Sequence, residues 1–296
     1  MGPARDVARR LCGAVVLVVC ANVAARAQAP RPALPAAQPS RADSLLAQGR
    51  LAAAEEALYA ASDARPRDPA ARGALAAYLA SRGRFTIALV LFDEAQRFGA
   101  DAGRVQLARQ EILPYHVAQA PGPAVTVPFA TPTQPATLGA FTVRPGRSAA
   151  SAFTATLDPN LRGVVLGRRA AAAFSLDGSR RLEALWIGER RLARLEARVD
   201  SLASPDEVRV GLDVLWGLHP LVDEAAGTLT LGRAPAALGP DARVRQIPFV
   251  VTFPGLLLVP QVGQAPVRIE SAAGRALLRG ARWQLDARAG TLRVER

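Results

Sequence analysis

The sequence contains no lysine and very little cysteine or histidine. All 37 of its basic side chains are arginine, and its two cysteines, Cys12 and Cys20, lie close to the start of the chain. The rest of the chain therefore has no thiol for a disulfide, a nucleophile or a thiolate metal site. His116 and His219 lack the spacing of a metal-binding motif, so we expect neither a metal nor any other cofactor.

Several catalytic and binding motifs are also missing. The sequence has no G-x-S-x-G elbow, no G-x-G-x-x-G fingerprint and no P-loop, which argues against a serine hydrolase and against nucleotide binding. The formal net charge is +12, but aromatic residues make up only 5% of the chain and no basic run carries interleaved aromatics. We therefore do not expect a nucleic-acid partner.

The first residues have the three parts of a secretory signal peptide. A positive region is followed by the apolar run Leu11–Val19 and by the small-residue site Ala25-Arg26-Ala27. This pattern predicts cleavage after Ala27 and a periplasmic or secreted protein. A membrane anchor is the first alternative, although the run is shorter than the ~20 residues that a spanning helix needs. A lipoprotein site at Cys20 is the second, although Val19 is bulky for such a site.

Changes in composition divide the remaining sequence into segments. Half of the residues are hydrophobic, which predicts a globular protein. After the first residues the chain is rich in Pro and Ala. It then becomes rich in Ala and Leu with the spacing of a helix, and finally consists of short apolar runs separated by turns. The fold class that we predict is multidomain α + β. The predicted segments are the signal peptide 1–27, a linker 28–39, helical repeats 40–112, a linker 113–123, a β domain 124–233 and a shorter second β lobe 234–296.

The helical segment contains an internal repeat. A glycine, a Leu or Phe, and small alanines recur at one constant offset. The matching pairs are Gly49 and Gly83, Leu51 and Phe85, Ala54 and Ala88, Leu58 and Phe92, and Ala61 and Ala95. Pro66 follows the first unit where a helix would end. This pattern, with its period of about 34 residues, is typical of tetratricopeptide repeats, which usually bind proteins. An ordinary Ala-rich helical hairpin is the alternative.

The β segment predicts six strands and one short helix, Arg168–Phe174. The strands are Val125–Phe129, Leu138–Val143, Phe153–Leu157, Val164–Leu166, Leu182–Ile187 and Thr228–Leu231. The pattern at 191–202 fits a helix stripe or an alternating strand. Phe249–Val259 is predicted to be a core strand pair around a turn. Residues 211–231 align with 274–294 without a gap, which indicates two related lobes or a duplicated closing hairpin.

Three stretches of the β segment resemble the retropepsin-like aspartic proteases, the family of retroviral-type and pepsin-type folds. The stretches are Ala155–Asn160 with Gly163–Leu166, Leu185–Gly188 with the segment after it, and Gly211–Leu215 with Leu221–Asp223 and Gly227–Leu231. The resemblance covers about residues 124–233 and implies a mostly-β barrel-like domain. It also favours a strand at 193–199 and implies that Asp158 is the catalytic carboxylate, one of two that share a proton.

The sequence departs from the family where the chemistry would be. Pro159 and Asn160 replace the Thr and Gly that follow the catalytic Asp, and Pro has neither a hydroxyl nor an N–H. The stretch between Asp158 and Ile187 must already hold a strand and a helix, which leaves no comfortable room for a substrate-closing flap hairpin. Asn160 can adopt a left-handed conformation at this turn. We therefore expect a catalytically inactive pseudoenzyme that binds a protein or an extended peptide.

An active aspartic endopeptidase is the alternative. Its second carboxylate would come from Asp158 of another copy in a homodimer, since Glu270-Ser271-Ala272 is only faintly similar to the family's second motif. Asp213, Asp223 and Asp286 are predicted to be helix-capping and turn residues. The sequence also contains an arginine cluster, formed by Arg180, Arg181, Arg190, Arg191, Arg194 and Arg198 and interleaved with Glu183, Glu189 and Glu196. We predict that this cluster forms a solvated sheet face, or else a docking patch for an acidic partner.

Overall fold

A computed structural model describes most of the chain from Ser40 onward. The predicted signal peptide 1–27 and the linker 28–39 lie outside the described residues. The chain divides into two compact units, one reaching to Ile112 and including Gln261–Pro266, the other formed by Leu113–Pro260 and Val267–Arg296. The described residues are 40–116, 123–131, 136–148, 150–176, 180–232, 244–253, 255–287 and 289–296.

Consecutive helices follow Ser40 in the first unit, and the last of them ends at His116, just beyond the boundary of that unit. Ser40 caps the first of them, accepting a hydrogen bond from the Asp43 N–H while the Asp43 carboxylate accepts from the Ser40 N–H. Asp68 caps the third, with Pro69 at its first position. The helices are α1 (Arg41–Ala47), α2 (Leu51–Ala64), α3 (Pro69–Ser81), α4 (Phe85–Arg97) and α5 (Ala102–His116).

The backbone geometry of these helices repeats at the predicted offset. Gly49 and Gly83 both have positive φ, 67° and 77°, which glycine adopts without steric cost. The next N–H in each copy returns to the preceding helix, from Arg50 to the Leu45 carbonyl and from Arg84 to the Leu79 carbonyl, at 2.9 Å in both cases. Helices α2 and α4 then begin at the matching residues.

Small and large apolar residues alternate at the contacts of this repeat. Ala54 and Ala88 are fully buried, and the larger Leu58 and Phe92 one turn later are buried as well. A methyl group at these positions lets neighbouring helices approach closely, and the larger side chains fill the remaining space. The Tyr78 hydroxyl donates to the Leu51 carbonyl at 2.9 Å, which joins α3 to the start of α2.

The structure corrects the position of His116. We predicted that it lies in a linker, but it is the last residue of helix α5. The helix continues because its buried stripe continues at helical spacing through Val105, Ala108, Ile112 and Tyr115. Pro114 lies inside this helix.

The described part of the second unit contains an extended sheet, three short α-helices and the 3₁₀-helix Trp216–Leu218. Its strands are β1 (Val125–Ala130), β2 (Gly139–Val143), β3 (Phe153–Asp158), β4 (Val164–Leu166), β5 (Arg181–Ile187), β6 (Arg190–Val199), β7 (Val208–Gly211), β8 (Leu221–Asp223), β9 (Thr228–Leu231), β10 (Val244–Val251), β11 (Leu256–Leu258), β12 (Val267–Arg268), β13 (Arg282–Asp286) and β14 (Thr291–Glu295). The helices are α6 (Arg168–Ala173), α7 (Leu212–Leu215) and α8 (Ala272–Leu278). The strand order is β12-β11-β10-β14-β13-β8-β9-β1-β2-β3-β7-β4-β6-β5.

The strand predictions are confirmed to within a residue at most ends. The ambiguous segment 191–202 contains a strand, since β6 pairs along β5 with Leu192 opposite Leu185. The apolar segment after residue 248 is the predicted strand pair, with Phe249 of β10 opposite Leu258 of β11. Together with the helices before it, the sheet gives the mixed α + β architecture that we predicted.

Two hairpins in the middle of the sheet are copies of each other. The hairpins β8–β9 and β13–β14 lie in the two segments whose sequences align. Asp223 and Asp286 close their turns in the same way. Each carboxylate accepts a hydrogen bond at 2.9 Å from the backbone N–H three residues later, of Ala226 and Ala289 respectively. Strands β8 and β13 pair antiparallel with Leu221 opposite Gln284, its own counterpart in the repeat. The two copies are therefore related by a local two-fold axis.

The same symmetry extends to the strands outside the hairpins. β1 pairs with β9 so that Val127 faces Leu229, and β10 pairs with β14 so that Ile247 faces Leu292. This register equates Val127 with Ile247, and both strands continue from there with Pro and then Phe. This match was not predicted from the sequence. It shows that the duplication includes more of the chain than the closing hairpins.

Candidate functional site

Asp158 ends strand β3 and begins a tight turn. The Leu161 N–H donates to the Asp158 carbonyl at 3.2 Å, which closes a four-residue turn with Pro159 at its second position, where proline is favoured. The Asp158 Oδ1 atom accepts a hydrogen bond from the Asn160 N–H at 2.9 Å. Asn160 does not have the positive φ that we allowed for, because Asp-Pro-Asn-Leu forms this turn without it.

Register connects Asp158 with a residue in the second half of the sheet. Phe129 of β1 lies opposite Phe141 of β2, and Phe141 lies opposite Ala155 of β3. The strands β10, β11 and β12 of the second half pair antiparallel in the same way. Phe249 of β10 lies opposite Leu258 of β11, and Leu258 lies opposite Val267 of β12.

Glu270 is the counterpart of Asp158. Phe129 and Phe249 are equivalent by the pairing of the outer strands, and therefore Ala155 and Val267 are equivalent too. Asp158 is the third residue after Ala155, and Glu270 is the third residue after Val267. The faint motif similarity at Glu270-Ser271-Ala272 agrees with this relation.

An arginine connects the two carboxylate-bearing turns. The Arg268 Nη1 atom donates to the Asn160 Oδ1 atom at 2.9 Å and to the Glu270 Oε1 atom at 3.1 Å. Since Asn160 also binds the Asp158 carboxylate through its N–H, a chain of polar contacts runs from Asp158 to Glu270. The Arg268 side chain is 51% exposed and the Glu270 side chain only 10% exposed.

The surroundings of Asp158 favour its protonated form. Partial burial raises the pKa of Asp158 above its ordinary value. The Asn160 N–H and the charge of Arg209 act in the opposite direction, and the negative charge of Glu270 adds to the rise. The two carboxyl groups are thus close enough to interact, although the Glu270 carboxylate is itself paired with Arg268.

Asp213 holds the chain that leaves the Asp158 turn. Its side chain is 4% exposed, and its carboxylate accepts the Gly163 N–H at 3.1 Å through Oδ1 and 3.0 Å through Oδ2. Burial raises the pKa of Asp213 to about 6, while its hydrogen bonds from backbone N–H groups oppose the rise. The capping prediction is wrong for this residue, since Gly211 occupies the N-cap of α7. The charged pair formed by Arg162 and Glu196 lies nearby.

The β5–β6 hairpin does not act as a flap in this structure. A Cβ atom added to Gly188 at its turn would lie 2.9 Å from a Val125 methyl group and 3.0 Å from a Val127 methyl group, so the turn packs on β1. The Arg144 Nη2 atom also donates to the Gly188 carbonyl at 2.8 Å. Helix α6 is the main element between β4 and β5, and the described residues there contain no additional hairpin.

The arginine cluster forms an exposed, partly ion-paired face on this hairpin. Arg191, Arg194 and Arg198 of β6 are exposed. Glu196 pairs with Arg162 at 3.1 Å, and Glu189 pairs with Arg147 at 2.8 Å. These pairs fit the predicted solvated face, and the docking-patch alternative stays a prediction.

Comparison of the chain with protein-family models, curated proteins and solved structures yields no match. Within the described residues, no group of three or more His, Cys, Asp or Glu side chains is placed to hold a metal ion. No helix in the described part of the chain is long and apolar enough to cross a membrane. The pair of turns at Asp158 and Glu270, which Arg268 connects, is the candidate site.

Proposed function

We propose that this chain is an exported peptide-binding protein whose β domain is an inactive relative of the aspartic proteases. In this proposal the helices before it form a protein-binding module of tetratricopeptide type, and the β domain has a short extra lobe. One observation carries the proposal, namely the position of Arg268 between the two equivalent acidic turns. Catalysis by such a pair needs two carboxyl groups that share one proton and a water molecule.

The contacts of Arg268 favour binding over proteolysis. A guanidinium at 3.1 Å from Glu270 stabilises the charged carboxylate and opposes the sharing of a proton with Asp158. Pro159 removes the hydroxyl that braces the opposing loop in the family that the sequence resembles. Without a flap hairpin among the described residues, nothing there is placed to enclose a substrate. An extended peptide held along the acidic turns by backbone pairing fits these features better.

Proteolysis by a single chain is the second candidate function. The register match of Asp158 and Glu270 favours it, because two equivalent carboxyl groups are the arrangement that aspartic proteolysis requires. The raised pKa of Asp158 is in the direction expected for a group that holds the shared proton. This candidate differs from our original alternative, in which Asp158 meets its copy across a homodimer.

One experiment separates these functions. The chain from Gln28 onward is mixed with unfolded proteins between pH 3 and pH 8, and both cleavage products and retained peptides are identified by mass spectrometry. The variants Asp158→Asn and Glu270→Gln are run beside it. Glu56→Gln, an exposed carboxylate on α2, is the matched control.

We expect retained peptides and no cleavage at any pH. Cleavage lost in both Asp158→Asn and Glu270→Gln would establish the single-chain peptidase instead. Cleavage lost in Asp158→Asn but kept in Glu270→Gln would support the homodimer. Neither cleavage nor retention, by a protein with a cooperative unfolding transition, would contradict the proposal.

A further inference from the structure

Arg268 has hydrogen-bonding capacity that its contacts within the chain do not use. Both protein partners of its guanidinium lie on Nη1, the Asn160 amide oxygen at 2.9 Å and the Glu270 carboxylate at 3.1 Å. Within the described residues no acceptor lies on Nε or Nη2. These two nitrogens form the edge of a guanidinium that binds a carboxylate through two parallel hydrogen bonds.

The two contacts on Nη1 fix the orientation of that open edge. A flexible surface arginine loses side-chain entropy when it binds a ligand, whereas an arginine already held by two acceptors loses less. Asn160 is held in turn at two places, because its side-chain oxygen accepts from Arg268 and its backbone N–H donates to the Asp158 carboxylate.

The open edge of Arg268 is accessible to a ligand. Half of the Arg268 side chain is exposed, while its ion pair with Glu270 at 3.1 Å uses only Nη1. A ligand carboxylate can therefore reach the Nε and Nη2 edge of a guanidinium that already shares its charge with Glu270.

We propose that Arg268, supported by Asn160 and Glu270, is a binding site for a peptide carboxylate. The site deepens the proposed function, on which it rests, by naming the chemical group that the bound peptide presents. That group is either the carboxylate at the C-terminus of the peptide or the side chain of Asp or Glu. The two sources share this chemistry, and the peptide mixtures below distinguish them.

Three N-terminally labelled hexapeptide mixtures test the proposal by fluorescence anisotropy. One mixture has a free C-terminal acid and no acidic side chain, the second has the same sequences with a C-terminal amide, and the third is amidated and contains one Glu. We expect the acid to bind about ten- to a hundredfold more tightly than the plain amide, since hydrogen bonds to a charged group are worth that much. Tighter binding of the Glu mixture than of the plain amide would assign the site to side chains.

Variants of the site show whether Arg268 causes the difference. Arg268→Gln should abolish the preference for the acid over the plain amide. Arg268→Lys should restore only part of the preference, because an ammonium group cannot form the two parallel bonds. Arg198→Gln, an exposed arginine on β6, is the matched control and should bind like the parent protein. Equal binding of all three mixtures, or an unchanged preference in Arg268→Gln, would overturn the proposal.

A second measurement keeps this test separate from the test of peptide binding. The Arg268 Nε–H resonance is followed by NMR during titration with N-acetylalanine and with its amide. We expect a saturable shift with the acid only. That shift without any peptide binding would preserve the carboxylate site and refute the proposed function. Its absence would refute the carboxylate site even if the peptide mixtures bind.

Discussion

Replacing Asp213 by Asn should make the protein more stable at neutral pH. In the folded chain the pKa of this buried carboxyl rises from 3.8 to about 6, because burial penalises its charged form. At pH 7 the folded protein therefore holds a carboxylate that is more stable in the unfolded chain. Asn keeps an oxygen that can accept the Gly163 N–H and removes the charge. A shift of this size corresponds to roughly 2–3 kcal/mol in the free energy of unfolding.

The pH dependence gives the sign of this effect independently. A carboxyl whose folded pKa is raised contributes stability below its unfolded pKa, and that contribution disappears as the pH rises through the folded pKa. The stability of the parent relative to Asp213→Asn should therefore fall from pH 4 to pH 6 and stay constant above about pH 7. Urea unfolding at each pH measures the difference. Asp206→Asn, a half-exposed carboxylate, is the matched control.

A third variant separates the charge of Asp213 from its hydrogen bonds. Asp213→Ala leaves the buried Gly163 N–H without its acceptor, which costs about 1–3 kcal/mol. Asp213→Ala should therefore be less stable than Asp213→Asn at every pH. If Asp213→Asn is instead less stable than the parent at pH 7, the charged carboxylate stabilises the fold and our account of this residue is wrong.

Local patterns in the sequence were sufficient to predict part of the secondary structure. The repeat of helices follows from glycines and alanines at fixed steps, and the structure has them in matching conformations. The two closing turns follow from an Asp-x-x-Ala-Gly-Thr pattern, in which the hydrogen bond of each turn is local. Such features are predictable because the interacting groups are near each other in the chain.

The role of Asp213 could not be predicted in the same way. Its partner, the Gly163 N–H, lies 50 residues earlier in the chain. A carboxylate at the start of a short helix has the appearance of a cap in the sequence. Only the pairing of β7 with β4 brings the Gly163 backbone against α7 and makes Asp213 a buried support. The structural role of Asp213 thus depends on a contact between distant parts of the chain, which its local sequence does not indicate.

The equivalence of Asp158 and Glu270 was hidden by unequal loop lengths. In the first half, the strands β4, β5, β6 and β7 all follow Asp158 before the chain reaches the end of β7 at Gly211. In the second half, Gly274 follows Glu270 almost directly, and α8 begins at Ala272. No single sequence offset aligns both ends of the duplication, so the match appears only in the strand register.

Replacing Gly211 or Gly274 by Ala should destabilise the second unit. These two glycines are counterparts in the sequence repeat. Each lies close to backbone atoms, which cannot move away as easily as a flexible side chain. A Cβ atom on Gly211 would lie 2.4 Å from the Leu161 carbonyl oxygen, and one on Gly274 would lie 2.2 Å from the Arg268 carbonyl oxygen. Overpacking of this kind costs about 1–3 kcal/mol, and more where the backbone cannot move.

The same substitution at Gly73 should have the opposite effect. Gly73 lies inside helix α3, and apart from adjacent residues and the backbone of its own helix, no heavy atom lies within 4 Å of the place where its Cβ would be. Alanine there should stabilise the helix by about 0.5–1 kcal/mol. Urea unfolding of Gly211→Ala, Gly274→Ala and Gly73→Ala compares these effects under the same conditions. If all three variants shift stability in the same direction, the close backbone contacts at the two equivalent glycines are not what requires glycine there.

A local readout connects Gly274 with the candidate site. Because its Cβ would press on the Arg268 and Ile269 carbonyls, Gly274→Ala should displace the strand end that presents Arg268 and Glu270. The Arg268 Nε–H resonance should therefore change in Gly274→Ala and stay unchanged in Gly73→Ala. Gly211→Ala should instead change the signals of the Asp158 turn, because its Cβ presses on Leu161. Equivalent glycines would then control the two equivalent acidic turns, each through contacts within its own half of the sheet.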